Sequence, residues 1–454
     1  MRSNLSAASK SLWLIVSCHL PAMLAFTPVP VSIQHAGTPS TSSSLYSSKP
    51  SMVGKVVAQR FLYYLSPTQS SIKSPYALEQ RQYYSVQEDN SLEPVGDRCF
   101  FLRGDAAVNP PVDPPEESVN KQGMLRRYTK LGSSLYKLHN VAEDNDDEEL
   151  GSTLWDSTYA LILQCMAQPE IIKGNGLELG CGVGVGGLLS CIGAGIASGT
   201  TIGGTAEDRY QSIEEIAEGP AEGEALPGLE KNEAPVSSLL RKITMTDSKE
   251  STLNQCFTNV KRSHFPSQKI EITELDWNNR IPERMRGKYD FILGSDLAYY
   301  FPLVTPLART VAYSLQPSPY DRIDNEQLIG GRFVHVGPAH RETVDDLRRK
   351  LSRGYKMNVQ TEELVLERLD LVPLILDSLL EEETHLQEEV EVQGGYVEFQ
   401  NLEKSRFTSL VGHHNEDYDG FNGEGFFPTE TGREDVYGSD GKEQEFGFGT
   451  EGAW

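Results

Sequence analysis

Residues 174–187 read GNGLELGCGVGVGG. A short apolar run ends at Glu178, and glycines follow at 180, 182 and 184. That is the layout of a strand that stops, turns tightly and feeds a helix. Glycines in such a turn let a ligand approach the backbone without meeting a Cβ. The window alone is also compatible with a plain flexible loop, so the reading depends on the residues downstream of it.

A nucleotide-type site in an open α/β sheet collects residues from the carboxyl ends of successive strands. The next strand should then end in an acid placed to accept hydrogen bonds from a ribose. Residues 243–247, ITMTD, end in Asp247. A helix-compatible run, 251–260, comes next, with Leu253, Phe257 and Val260 on one side. Residues 270–275 form another strand-like run, followed by Asp276 and Trp277. Residues 289–293 precede GSDLAYY, which places Asp296 and Tyr299 just past a strand. An acidic residue at or just past a strand end therefore recurs at Glu178, Asp247, Asp276 and Asp296, which a loose glycine loop would not produce. Asp247 lies 63 positions after Gly184, where a compact unit would place it roughly 20 on.

These residues resemble the class I S-adenosylmethionine (AdoMet)-dependent methyltransferases. More narrowly, they resemble the seven-β-strand family that includes many protein-lysine methyltransferases. The resemblance is carried by Leu154-Trp155-Asp156, ELGCGVG at 178–184, TD at 246–247, LDW at 275–277 and the D-x-x-Y of Asp296 and Tyr299. It covers residues 125–406 and implies a Rossmann-like α/β fold, a seven-stranded sheet with helices on both faces. It also implies AdoMet as cofactor. Gly180, Gly182 and Gly184 would carry its amino-acid part, with Glu178 at the ammonium and Asp247 at the ribose. Asp276 and Trp277 would flank the adenine, and Trp155 would close the pocket. Asp296 lies where the methyl group should point, and with Tyr299 it would receive a lysine amine. The plainer readings stay open beside these: core packing for Trp155 and Trp277, and helix caps for Asp247 and Asp296. The NPPY-type sequence expected for methylation of nucleic-acid bases is absent, and the chain reads SDLAYY instead.

The implied function is protein-lysine N-methyl transfer. Alternatives are methyl transfer to a small molecule or to a protein histidine. A catalytically silent binding or assembly factor on the same fold is another.

The formal net charge is −24 over 454 residues, a poor fit to a nucleic-acid clamp, which needs clustered Lys and Arg. Six cysteines lie far apart with no C-x-x-C, so neither a zinc site nor a disulfide framework is indicated. Cys181, inside the glycine loop, reads either as a thiol or as a small residue suited to a tight turn.

The charge is unevenly spread. The first 78 residues hold no Asp or Glu. Residues 12–26, LWLIVSCHLPAMLAF, come after Arg2 and Lys10, the pattern of a secretory signal. The run is too short and broken for a comfortable membrane span. A signal peptide at 1–25 and a transit-peptide-like stretch at 26–78 together resemble the bipartite presequence of algae with complex plastids. An ordinary secreted protein is the alternative. Residues 79–124 read as an extension of uncertain structure, containing a short strand at 98–103. A Gly-, Pro- and Glu-rich insertion at 199–240 accounts for the displaced Asp247, and its composition predicts disorder. Further expectations are a helix at 303–315, a fifth strand at 332–337 and a helix at 343–351. Beyond these come a sixth strand at 356–366, a helix at 371–380 and a seventh strand at 396–399. The tail 407–454 carries eleven acids against Arg433 and Lys442 and is expected to be disordered.

Overall fold

A computed structural model describes residues 53–89, 91–95, 98–104, 127–131, 133–141, 153–199, 234–317, 331–376 and 396–414. The signal segment, residues 26–52, most of the insertion and residues 415–454 lie outside the described residues.

Among the described residues, six strands precede the glycine loop: β1 (Val56–Leu65), β2 (Ala77–Val86), β3 (Leu92–Pro94), β4 (Arg98–Arg103), β5 (Arg127–Lys130) and β6 (Ser134–Val141). Helix α1 (Asp156–Ala167) leads to β7 (Gly174–Leu179) and α2 (Val185–Ser198). Then come β8 (Leu240–Asp247), α3 (Glu250–Arg262), β9 (Ile270–Glu274), β10 (Phe291–Ser295) and α4 (Phe301–Ser314). The chain continues through β11 (Arg332–Pro338), α5 (Glu342–Arg349), β12 (Met357–Leu376) and β13 (Tyr396–His414).

All thirteen strands belong to one sheet, ordered β6-β4-β2-β1-β12-β13-β11-β10-β7-β8-β9, with β3 on β2 and β5 on β13. Strands β11, β10, β7, β8 and β9 are parallel. Strand β13 runs antiparallel between β11 and β12. Counting from the glycine-loop strand, the order is third, second, first, fourth, fifth, seventh, sixth. The expected seven-stranded Rossmann-like sheet is therefore present, extended at one side.

Helices cover both faces, because the parallel strands are apolar on both sides. Leu161, Leu188 and Leu189 of α1 and α2 pack with Ile243, Met245, Leu293 and Val334. On the other face, Leu307 and Val311 of α4 and Leu347 of α5 pack with Leu177, Leu179, Ile292 and Phe333.

Several boundaries differ from the sequence expectation. The stretch 26–78 is not presequence throughout, since β1 and the start of β2 lie in it, with Leu62, Leu65, Ala77 and Leu78 buried. Its second half has the β-branched and aromatic composition of a strand (VVAQRFLYYL). The expected helix at 371–380 is also absent up to Leu376, where β12 continues. Its register with β1 shifts between Ala58 and Arg60, which puts Val372 and Pro373 at a bulge, where a strand tolerates proline. The tail does not begin at 407: β13 runs on to His414, with Phe407 and Leu410 buried. The insertion ends earlier than 240, because Ala234 and Val236 are buried. A Cβ on Gly195 of α2 would lie 2.5 Å from the Pro235 carbonyl oxygen.

One face of the N-terminal strands buries charge. Glu79 of β2 is fully buried and receives Nε–H donors from Arg60 (3.0 Å), Arg81 (2.8 Å) and Arg103 (2.9 Å). Burial alone would push its carboxyl up, but the three guanidiniums hold it well below the usual carboxylate range. Arg81 and Arg103 also lie over the Phe101 ring. Removing the shared carboxylate would leave buried guanidiniums uncompensated. Glu79→Ala is expected to destabilise the protein by about 3–5 kcal/mol in urea unfolding. A change below about 1 kcal/mol would show that the cluster tolerates its loss.

Candidate active site

The turn after β7 is built from left-handed glycines, with φ of 57° at Gly180, 53° at Gly182 and 84° at Gly184. Side chains rarely adopt these angles. The turn is pinned from β8: Cys181 N–H donates to the Thr246 carbonyl (2.8 Å), and Thr246 Oγ1 donates to the Glu178 carbonyl (2.7 Å). Helix α3 adds Asn259 Nδ2, which donates to the Val183 carbonyl at 2.8 Å.

Asp247, at the end of β8, accepts the Gly182 N–H at 3.2 Å on Oδ2. Its Oδ1 accepts Ser248 N–H (2.8 Å) and Lys249 N–H (3.3 Å). The same carboxylate thus ties the loop down and organises the entry to α3. Burial raises its pKa and these N–H donors oppose the rise.

Glu178 is buried beneath the turn, with the Gly187 N–H donating to it. Burial drives its carboxyl well above the usual range, and Oε2 has no hydrogen-bond partner among the described residues. The carboxyl faces the first turn of α2 at Gly186 and Gly187.

Trp277 follows β9, and its ring edge faces Gly180, where a Cβ would lie 3.4 Å from Cζ2. Its Nε1 is buried, with no hydrogen-bond partner among the described residues. Asp276 engages its own turn: both oxygens accept from Asn278 and Asn279 at 2.9–3.1 Å. Trp155 sits half-buried at the start of α1. Nearby, Thr158 Oγ1 lies 3.0 Å from Ser295 Oγ at the end of β10.

Asp296 adopts φ 54°, a left-handed conformation unusual outside glycine. Three contacts hold this loop. Asp296 N–H donates to the Val336 carbonyl (2.8 Å), Leu297 N–H donates to His335 Nε2 (3.2 Å), and the Thr343 hydroxyl donates to the Ala298 carbonyl. His335 is fully buried, and burial takes its pKa down to about 3, so it accepts as a neutral ring. Arg341 forms an ion pair with Asp296 Oδ1. Burial raises the Asp296 pKa to about 6, and Arg341 works against that rise. The α4 N-cap is Tyr300, with no side-chain cap, so Asp296 is not a helix cap. Tyr299 is half-exposed, and its hydroxyl pKa is raised by burial and by the fields of Asp247 and Asp296.

The structure thus brings Gly180, Gly182, Asp247, Trp277, Asp296 and Tyr299 to one rim of the sheet. Glu178 lies buried beneath the glycine turn, Gly184 opens α2, Asp276 shapes the turn that carries Trp277, and Trp155 stands at the start of α1. His335, Thr343 and Arg341 were missed. Applying the strand-then-polar rule to the fifth strand, RFVHVGPAHRET, would have pointed to Arg341.

Among the described residues, no cluster of His, Cys, Asp and Glu can hold a metal, and no helix is long and apolar enough to cross a membrane. Among the described residues, Cys165, Cys181, Cys191 and Cys256 are buried and not disulfide-bonded.

Residues 227–322, from the end of the insertion through α4, match the family model described as lysine methyltransferase. The chain is a methyltransferase of the class I fold. No curated protein matches it. Among solved structures, the YcgJ protein of Bacillus subtilis is 12% identical, with 56% of this chain and 98% of that one covered at a TM-score of 0.30. The precorrin 8W decarboxylase of Methanobacterium thermoautotrophicum is 11% identical, with 60% and 100% covered and a TM-score of 0.32. A methyltransferase of Pyrococcus furiosus is 12% identical, with 38% and 62% covered and a TM-score of 0.23.

The site fits the cofactor that class I methyltransferases use. A Cβ on Gly180 would meet Leu297 (2.7 Å) and Trp277, so only glycine lets the left-handed turn pass this close to both side chains. Trp277 Nε1 is a buried donor with no acceptor among the described residues. Gly180→Val is expected to weaken AdoMet binding at least about tenfold in calorimetry, because a β-branched residue is strained at this φ and fills the turn. Unchanged affinity would place the cofactor elsewhere.

Proposed function

We propose that this methyltransferase transfers methyl groups to the ε-amino group of lysine in a protein substrate. The observation that carries the reading is Asp296. The backbone of the loop that carries it is held by three hydrogen bonds, its carboxylate pairs with Arg341, and Tyr299 lies in the fields of both Asp247 and Asp296. The lysine methyltransferase family match supports it.

Bound AdoMet supplies a methyl group already activated by its sulfonium. The chain's own task is then alignment and control of the amine's protonation. The 180–184 turn would hold the amino-acid end, and Asp247 has lone pairs left for ribose hydroxyls. Glu178, buried beneath the turn with Oε2 unpaired among the described residues, would accept a hydrogen bond from the nearby ammonium, whose charge would favour the carboxylate over the neutral form that burial alone favours. Trp277 would pack on the adenine side, presented by the turn that Asp276 organises, and Trp155 would close the edge.

Asp296 accepts the incoming ammonium, and the Tyr299 ring favours the same cation through its π face. A lysine ammonium has a reference pKa of about 10.4, far above the value of about 6 at Asp296. Asp296 therefore orients the amine and leaves its proton to solvent. The formal net charge of −24 and the SDLAYY sequence favour a protein over nucleic acid. We place the enzyme in a plastid on the signal-like run at 12–26 and the acid-free stretch up to residue 52, ahead of the folded strands.

Asp296→Asn keeps the shape and removes the charge. Methyl transfer from labelled AdoMet to lysines of a plastid protein extract should fall roughly 10²-fold or more, with AdoMet affinity nearly unchanged. A wild-type rate in this variant would remove Asp296 from the chemistry.

A further inference from the structure

Arg341 lies between β11 and α5 and pairs with Oδ1 of Asp296. Its side chain is 28% exposed, against 10% for Asp296. The backbone around Asp296 is held by Val336, His335 and Thr343. These contacts fix the Asp296 backbone, and what Arg341 adds is charge and a partner for one carboxylate oxygen. Among the described residues, no hydrogen bond reaches Asp296 Oδ2.

We propose that Arg341 is the resident counter-cation of Asp296: it holds Oδ1 and keeps the largely buried carboxylate ionised, leaving Oδ2 to receive the substrate's primary ammonium. Arg341 is thus a positioning residue that acts through Asp296. The identity of the ammonium rests on the lysine reading above, whereas the counter-cation role does not.

The groups around Asp296 agree with this division. From β11, His335 is neutral and spends Nε2 on the Leu297 N–H. From α5, Thr343 offers a hydroxyl already committed to the Ala298 carbonyl. From its own loop, Tyr299 adds no positive charge, and Asp247 of β8 faces that same tyrosine. Arg341 is the cation that opposes the burial of Asp296. Burial favours the neutral carboxyl, and Arg341 favours the carboxylate. Without Arg341, protonation should therefore persist to higher pH.

The test uses the full chain carrying ¹³Cγ-labelled aspartate, with Asp296→Asn to assign the resonance. The wild-type midpoint should lie near 6. Arg341→Gln should raise it by about one unit or more, and Arg341→Lys should restore it. Arg341→Met serves as a second neutral variant if the glutamine form does not fold. In methyl-transfer assays, the acidic limb of kcat/KM should move up with the same midpoint. An unmoved midpoint in a folded neutral variant would overturn the proposal. A shifted midpoint in a protein that methylates no lysine would uphold the counter-cation and sink the lysine reading instead.

Discussion

Strand β7 sits between β8 and β10, and the location of the site depends on that. From β7 the chain steps outward to β8 and β9, then returns to the other flank as β10 and β11. The α2 connection leaves one way and the later connections leave the other. A crevice therefore opens at the carboxyl ends of β7 and β10, as it does wherever strand order reverses in an open parallel sheet. The turn after β7 and the loop after β10 meet there. Leu297 from one loop and Trp277 from the next flank Gly180 of the first. The two loops are thus neighbours because of strand order, not because their residues are close in sequence.

The same constraint explains why electrostatics differ so much across a small area. Glu178 and His335 are enclosed by helix and sheet and are driven toward their neutral forms. Asp247 and Asp296 stand at strand ends, partly buried, and each is supported by a different device. Asp247 has backbone N–H donors and Asp296 has a guanidinium. Backbone donors occupy both oxygens of Asp247, whereas Arg341 occupies only Oδ1 of Asp296. The difference suits a fixed anchor at Asp247 and a second, incoming partner at Asp296.

Much of this was legible in the sequence. A strand that is apolar on both faces and ends in an acid leaves a compact signal, and the ends at Glu178, Asp247, Asp276 and Asp296 all fall at or just past strands. The N-terminal sheet was not legible. Strand β1 is embedded in a stretch whose lack of acids is shared with the presequence-like residues before it, so composition averaged over 26–78 concealed it. Val372 and Pro373 masked the continuation of β12, because a bulge breaks alternation. The last residues of β13 were hidden by the acidic composition of the chain beyond them. The buried Arg60, Glu79, Arg81 and Arg103 could not be read at all. Each is an ordinary surface residue until cross-strand register places it beside the others.

The central claim is that the crevice at the ends of β7 and β10 is where the cofactor binds. Hydrogen exchange by mass spectrometry, with and without saturating S-adenosylhomocysteine, tests it most directly. Slowed exchange should concentrate in peptides covering 178–187, 245–249 and 295–300, and exchange in β1, β2 and β4 should be unchanged. Protection confined to the N-terminal strands, or none at the glycine turn, would contradict the account.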